Sequence, residues 1–307
     1  MLDKIQMQML TEVADLHGVP EGAYNIRVNG EKAGRNTTAN IDIATKTDGK
    51  SGIDIRIKPG TKNESVHIPV VLSESGIKET VYNDFYIGED SDVVIVAGCG
   101  IHNCGDEESR HDGIHTFFVG KNAKVKYVEK HYGKADGKGQ SNMNPVTVIN
   151  IDDGGYMEME TTQIEGVDET KRSTKAKLGA DATLIIREKL MTSGTERAET
   201  DFAVDLNGEN SSANVISRSV AKDKSYQLFL SKINGNNICT GHSECDAIIM
   251  DNAKVSAIPE ITANHIDASL IHEAAIGKIA GEQLTKLMTL GLTEQEAEEQ
   301  IVNGFLK

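Results

Sequence analysis

The chain has 307 residues and a formal net charge of −15, from 32 basic against 47 acidic residues. Nucleic acid and anionic membranes are bound by clustered lysine and arginine, so this balance argues against both partners. No run approaches the roughly 18 apolar residues of a membrane span, and the N-terminus lacks a signal-peptide core. We therefore expect a cytoplasmic protein whose four cysteines are thiols or metal ligands, not disulfides.

The N-terminal segment is predicted to be a helix. Apolar residues recur at three- and four-residue spacing from Leu2 to Leu16, which gives one apolar stripe. Gly18 and Pro20 then end the helix. Such a stripe has to pack on something, and the β-rich region that follows is the expected partner.

From Tyr24 to about Ile261 the apolar period is two. Short alternating runs, such as the one from Ile53 to Ile57, are separated by turns rich in Gly, Asn and Asp. So many short strands fit a large sandwich or barrel, or a parallel β-helix that grows coil by coil. Asn122-Ala-Lys-Val recurs as Asn252-Ala-Lys-Val, but the intervals are uneven. The pattern alone leaves the β-helix and the other β folds open.

The C-terminal segment is predicted to form two short helices. Apolar residues recur with helical spacing over 278–290, and Gly291 ends that helix. Thr293 and Glu296 form a capping-box pattern for a second helix that Gly304 closes. The pair could cap the end of a β stack or dock a partner.

The first candidate site is a metal site in a short segment rich in cysteine and histidine. Thiolate and imidazole are ligands that zinc and iron prefer, although the spacing matches no standard zinc-finger form. The alternative is a set of buried cysteines and hydrogen-bonded histidines along the turns. The candidate ligands are Cys99, His102, Cys104, His111 and His115.

The second candidate lies between Cys239 and Glu273. If the segment is extended, Cys239 and Cys245 share one face and His242 points the other way, so Cys245 could act alone as a thiolate. A buried, inert cysteine is the alternative. His272-Glu273 adds an imidazole and a carboxylate.

Motifs for nucleotide hydrolysis and for standard hydrolases are missing from the sequence. There is no GxGxxG, no Walker A motif, no GxSxG and no HExxH. We expect a non-enzymatic protein that binds no nucleotide itself.

The C-terminal third carries a series of short motifs. They are Cys245-Asp246, Asn252-Ala253, Pro259, His272-Glu273-Ala274 and Val302-Asn303-Gly304-Phe305. With these motifs, roughly residues 210–307 resemble the SufB/SufD family of iron–sulfur cluster assembly proteins. The resemblance implies a right-handed parallel β-helix with short helical N- and C-terminal segments. We accordingly expect a helical segment 1–23, a β-helix core 24–262 and an ATPase-docking helical region 263–307.

The resemblance also implies a function as a scaffold. Family members work as dimers docked to SufC, an ABC-type ATPase, and handle a transient iron–sulfur cluster at the dimer interface. The implicated residues are the Cys and Glu in SufB and the His in SufD, which correspond here to Cys245, Glu273 and His272. Because one chain holds all three, we expect the short stand-alone form, paired with itself or with a paralogue.

The remaining expectations concern partners. The resemblance implies a cysteine desulfurase as sulfur source and an ATPase docked on the C-terminal helices. The runner-up is a β-helix protein that binds metal at the Cys99–His115 cluster and has no role in cluster assembly. The predicted docking residues are Leu284, Leu287, Met288, Leu290, Ile301 and Phe305.

Overall fold

A computed structural model describes residues 2–18, 20–164 and 166–307. The strands stack as a right-handed parallel β-helix of about 8 turns with short helices at its two ends, which confirms the predicted fold class. The strands are β1 Ala23–Val28, β2 Glu31–Asn36, β3 Ile41–Thr45, β4 Gly52–Ile57, β5 Lys62–Leu72, β6 Lys78–Ile87, β7 Asp92–Asn103, β8 Ser109–Val119, β9 Lys124–Ala135, β10 Ser141–Met143, β11 Val146–Ile151, β12 Tyr156–Gln163, β13 Glu169–Leu178, β14 Thr183–Thr192, β15 Arg197–Leu206, β16 Ser211–Ala221, β17 Tyr226–Gly235, β18 Cys239–Ile249, β19 Lys254–Ala263 and β20 Ala268–Gly277. The helices are α1 Lys4–Ala14, α2 Gly281–Thr289 and α3 Glu294–Phe305.

Two sheets enclose one aliphatic core. Sheet A runs in the order β2-β1-β5-β7-β9-β12-β14-β16-β18-β20, and sheet B runs β19-β17-β15-β13-β10-β8-β6-β4-β3, with β11 between β13 and β8. The pairs β1–β2 and β3–β4 are antiparallel, whereas the stacked strands after them pair in parallel. Side chains alternate between the core and the outside along each strand, as the period of two predicted.

The length of a coil varies along the chain. On the inner face of sheet A, Glu129, Thr161 and Glu188 occupy the same register position on three successive strands. The first of these coils is therefore 32 residues long and the second is 27. The following steps, to Ser217 and then to Cys245, are 29 and 28 residues. This variation explains why no fixed period is visible in the sequence.

Helix α1 covers the outer face of sheet A. Asp3 and Gln6 form a reciprocal capping box at its start. Leu10 and Val13 are buried where the helix packs against the sheet. Gly98 on β7 permits this contact, because a Cβ there would stand 2.5 Å from the carbonyl oxygen of Val13. The helix predicted from the apolar stripe is therefore present and packs where expected.

The C-terminal end of the β-helix carries both predicted helices and one further strand. β20 lies within the range 263–307 that the sequence assigned to a helical region, while α2 and α3 occupy the rest of it. Helix α3 is anchored by Val302, which packs with Val220 and Leu306, and Thr293 and Glu296 form the predicted capping box. None of the residues of α2 is buried. The division into three domains stays a prediction.

The last strand of each sheet has a free edge. β19 and β20 end sheets B and A, and each pairs with only one strand in the described part of the chain. Large apolar side chains are exposed around this end: Ile258 is 54% exposed and Ile266 is 94% exposed. Among the described residues, no helix is long and apolar enough to cross a membrane.

Candidate functional site

A column of polar residues runs along the inner face of sheet A. Glu129, Thr161, Glu188, Ser217 and Cys245 occupy successive strands at the same register position and all point into the β-helix. All five are buried. The two buried carboxylates of the column in particular require partners inside the core.

Arg172 from the opposite sheet supplies the main partner. Its Nη1 donates to Glu129 Oε2 at 2.6 Å, and its Nε lies 3.9 Å from Glu188 Oε1. Burial raises the pKa of Glu129, but the positive charge of Arg172 and the hydrogen bond from His131 outweigh it and hold that pKa well below its usual range. The pKa of Glu188 is raised, because burial there outweighs the charge of Arg172.

The column ends at Cys245, near the C-terminal end of the β-helix. We call this end the open end, because β19 and β20 have free edges there. The Ser217 hydroxyl donates to Glu188 Oε2 at 2.7 Å and lies directly below Cys245 in the register. Burial, then the negative charges of Glu188 and Asp246, raise the pKa of the Cys245 thiol to about 12. The thiol is therefore protonated at neutral pH, and a bound metal cation would favour its deprotonation.

His272 shares the inner face with Cys245. In the register, His272 lies opposite Ser243, and Cys245 lies opposite Ala274, two residues further along β20. Strand geometry therefore separates the Cα atoms of Cys245 and His272 by roughly 8 Å. Burial and the nearby His242 lower the pKa of His272, which favours a neutral imidazole. These two predicted site residues can converge on one ligand at the end of the core.

Glu273 points the other way. As the next residue along β20, it lies on the outer face of sheet A, opposite Glu244 in the register. Its Oε2 lies 3.5 Å from His242 Nε2. Within one chain, the structure thus brings together two of the three predicted cluster residues and places the third across the sheet.

The Cys99 segment divides in a similar way. Cys99, His111 and His115 line an enclosed cavity between the sheets, where burial raises the pKa of Cys99 well above its usual range. His102 instead donates a hydrogen bond from Nε2 to Asp136 Oδ2 at 2.7 Å on the outer side. Cys104 is exposed in a loop. Metal binding by the three residues at the cavity stays a prediction.

Two further residues line this cavity that the sequence prediction missed. They are Glu129 and His131, and the ring of His131 accepts a hydrogen bond at Nδ1 from Arg172 at 3.3 Å. Continuing the alternation that begins at Val125 and Tyr127 would have placed both residues on the inner face. A pattern based on hydrophobicity does not choose a charged residue for that face.

The predicted docking residues are only partly exposed. Met288 of α2 is 44% exposed, and Leu290, the C-cap residue that follows this helix, is 76% exposed. Leu284 and Leu287 are half-buried, as is Ile301 of α3. Phe305 packs against the cluster around Val220. The exposed apolar surface of the two helices is thus concentrated on α2.

The fold and the site together define a class: a β-solenoid with a buried thiol and an imidazole on the inner face of its open last coils. The family profile for the SufBD core domain of SUF system FeS cluster assembly matches residues 79–305. The chain therefore belongs to the SufBD family of iron–sulfur cluster assembly proteins, as its C-terminal motifs predicted.

Individual relatives agree with this assignment. The chain is 31% identical to an iron–sulfur cluster assembly SufBD family protein of Methanocaldococcus jannaschii over 262 residues, 84% of this chain and 82% of that protein. A SufBD family protein of Archaeoglobus fulgidus is 31% identical over 265 residues, 85% of this chain and 69% of its own length. One from Pyrococcus horikoshii is 26% identical over 296 residues, 96% of this chain and 84% of its own length.

Proposed function

We propose that this chain is a scaffold subunit of a SUF-type machine, which assembles or transfers a nascent iron–sulfur cluster at a dimer interface. The chain itself turns over no substrate and binds no nucleotide; a SufC-like ABC-type ATPase supplies the energy and a cysteine desulfurase supplies the sulfur. The site of action is cytoplasmic. The observation that carries this proposal is the position of Cys245 and His272 beside the free edge of β20.

The free edges support assembly of two copies, or of one copy with a paralogue. An edge strand presents unpaired N–H and C=O groups that another chain can pair with. The exposed isoleucines Ile258 and Ile266 would lose water-accessible apolar surface in the same contact. Apposition of two ends would also bring the inner-face residues of two chains close together.

The donor set supports a labile cluster. Thiolates are the usual ligands of iron–sulfur clusters, and one cysteine with one histidine per chain is a weaker set than four thiolates. Glu273 would reach this inner site only by movement of the last strand or from the outer face of a second copy. A weakly held cluster suits a protein that passes it on.

The position of α2 supports docking of the ATPase. The helix has apolar residues but none of them is buried, and α3 joins the pair to the last coils through Val302. Movement of a docked partner would thereby reach the end of the β-helix that holds Cys245 and His272.

Anaerobic reconstitution with iron and sulfide tests the proposal. We expect cluster absorbance in the wild-type protein, its loss in Cys245→Ala and His272→Ala, and its retention in Cys99→Ala, which removes a buried thiol from the enclosed cavity. Circular dichroism would verify that each variant is folded. Cluster formation that survives Cys245→Ala but not Cys99→Ala would contradict the proposal and favour metal binding at the cavity.

A further inference from the structure

The outer face of sheet A carries three metal-ligating side chains beside the free edge of β20. His242 and Glu244 project from β18, and Glu273 projects from β20. One ligand atom from each residue lies within 4.8 Å of the other two. A nitrogen and two carboxylate oxygens at this spacing could close around a single ion with small rotations of the side chains.

The imidazole of His242 is already oriented for coordination. Its Nδ1 lies 3.2 Å from Asn214 Oδ1, on the preceding strand of the sheet. Because an amide oxygen only accepts, Nδ1 carries the proton, and the neutral ring leaves its lone pair on Nε2. That atom faces Glu273 Oε2 at 3.5 Å. A hydrogen bond to the second ring nitrogen is the usual support of a metal-ligating histidine.

The charges around the cluster favour a cation. Glu244 and Glu273 are directly opposite each other on adjacent strands, an arrangement in which like charges destabilise a sheet. A positive ion between the two carboxylates would relieve this repulsion.

We propose that His242, Glu244 and Glu273 bind one first-row divalent cation on the outer face of the last coils. One imidazole and two carboxylates suit iron(II), manganese(II) or zinc(II). Three protein ligands at a partly exposed surface also leave coordination positions open for water or an incoming ligand. The identification of the physiological ion as iron(II) rests on the proposed function, whereas the site itself does not.

This site is separate from the inner-face pair. Cys245 and His272 point into the core, and the proposed ligands point away from it across the same two strands. Glu273 therefore has a role in the isolated chain that does not depend on Cys245. Under the proposed function, iron would be held one sheet thickness from the place where the cluster forms.

Cobalt(II) is a suitable probe, since its visible absorption reports the ligands around it. We expect the purified chain, without ATPase or sulfur source, to bind one cobalt(II) saturably. His242→Asn and Glu244→Gln should each weaken binding at least about tenfold, because loss of even a supporting residue typically costs that much affinity.

Two control variants make the test specific. Glu260→Gln removes an exposed carboxylate on sheet B, where it forms an ion pair with Lys232 of the same sheet. This variant should leave cobalt binding unchanged. Cys245→Ser should also leave it unchanged, although the proposed function predicts that this thiol is needed for the cluster. The two proposals can therefore fail separately.

The proposal is overturned by any of three results. The first is no saturable cobalt binding up to about 1 mM. The second is binding that the folded His242→Asn and Glu244→Gln variants retain. The third is binding lost in Cys245→Ser, which would assign the ion to the inner face.

Discussion

Two groups of cysteine, histidine and glutamate residues line the interior of the β-helix. They differ in whether their polar atoms have hydrogen-bond partners within the chain. Around the enclosed cavity, His115 Nδ1 donates to the Tyr127 hydroxyl at 2.7 Å, and Glu129 accepts from Arg172. At the open end, Nδ1 of His272 has no hydrogen-bond partner in the described part of the chain. The histidines and Glu129 of the first group thus find partners within the chain, whereas the imidazole at the open end keeps an unpaired nitrogen.

This difference separates a structural role from a binding role. A buried network whose charged and imidazole groups are paired with one another helps to fix one arrangement of the core. An imidazole with an unpaired nitrogen, beside a thiol and a free strand edge, is completed only by something that arrives from outside. Residue types alone would have made the Cys99 segment the stronger candidate for a binding site, since it holds more cysteine and histidine residues.

The largest expected effect comes from breaking the buried ion pair. Arg172→Met leaves Glu129 and Glu188 buried without their cation, and should lower the free energy of unfolding by about 3–5 kcal/mol. Urea denaturation measures this change. Arg187→Met, which removes a partly exposed arginine paired with Glu158, should cost no more than about 1 kcal/mol. Equal costs for the two variants would show that the interior network is not a stabilising element.

The next effect is a dependence of stability on pH. Burial lowers the pKa of His115 to about 4, against an ordinary value near 6.5, so the unfolded chain binds a proton that the folded chain resists. The stability is fully present above pH 6.5 and is lost as the pH falls toward 4, at up to about 1.4 kcal/mol per pH unit.

Urea denaturation at several pH values between 4 and 7 measures this slope. The pKa of His131 is also lowered, chiefly by burial, and adds to the slope in the same direction. His115→Gln should therefore reduce the slope without abolishing it. A variant with the slope of the wild type would mean that His115 takes up its proton while the protein is folded.

The sequence predicted the architecture better than the site. Alternation of apolar residues and the capping box at Thr293 depend on local chemistry, and the structure reproduces both. The C-terminal motifs predicted the family, which the family profile confirms. The meeting of Arg172 with Glu129 depends on which coil faces which, and coil lengths that vary between 27 and 32 residues hide that alignment.

The separation of His272 from Glu273 was predictable in principle. Adjacent residues of a strand point to opposite faces, but the sequence prediction treated this segment as the start of a helical region. Once β20 is recognised as a strand, the pairing of Glu273 with His242 and Glu244 follows from the register. The missing information was the element type, not the chemistry.

The smallest effect on stability is expected at the open end. Ile258→Lys and Ile266→Lys alter side chains that are 54% and 94% exposed, so the free energy of unfolding of the monomer should change by no more than about 0.5 kcal/mol. Ile149→Ala, at a fully buried core position, should cost about 2–5 kcal/mol in the same assay.

Sedimentation should nevertheless show weaker self-association or weaker binding of a paralogue in both lysine variants, because a charge would enter the apolar contact. Ile5→Lys, at an exposed site on α1 far along the chain, is the matched control and should associate like the wild type. If the lysine variants also associate normally, the free edges of β19 and β20 are not the interface, and the inner-face pair must be completed by another partner.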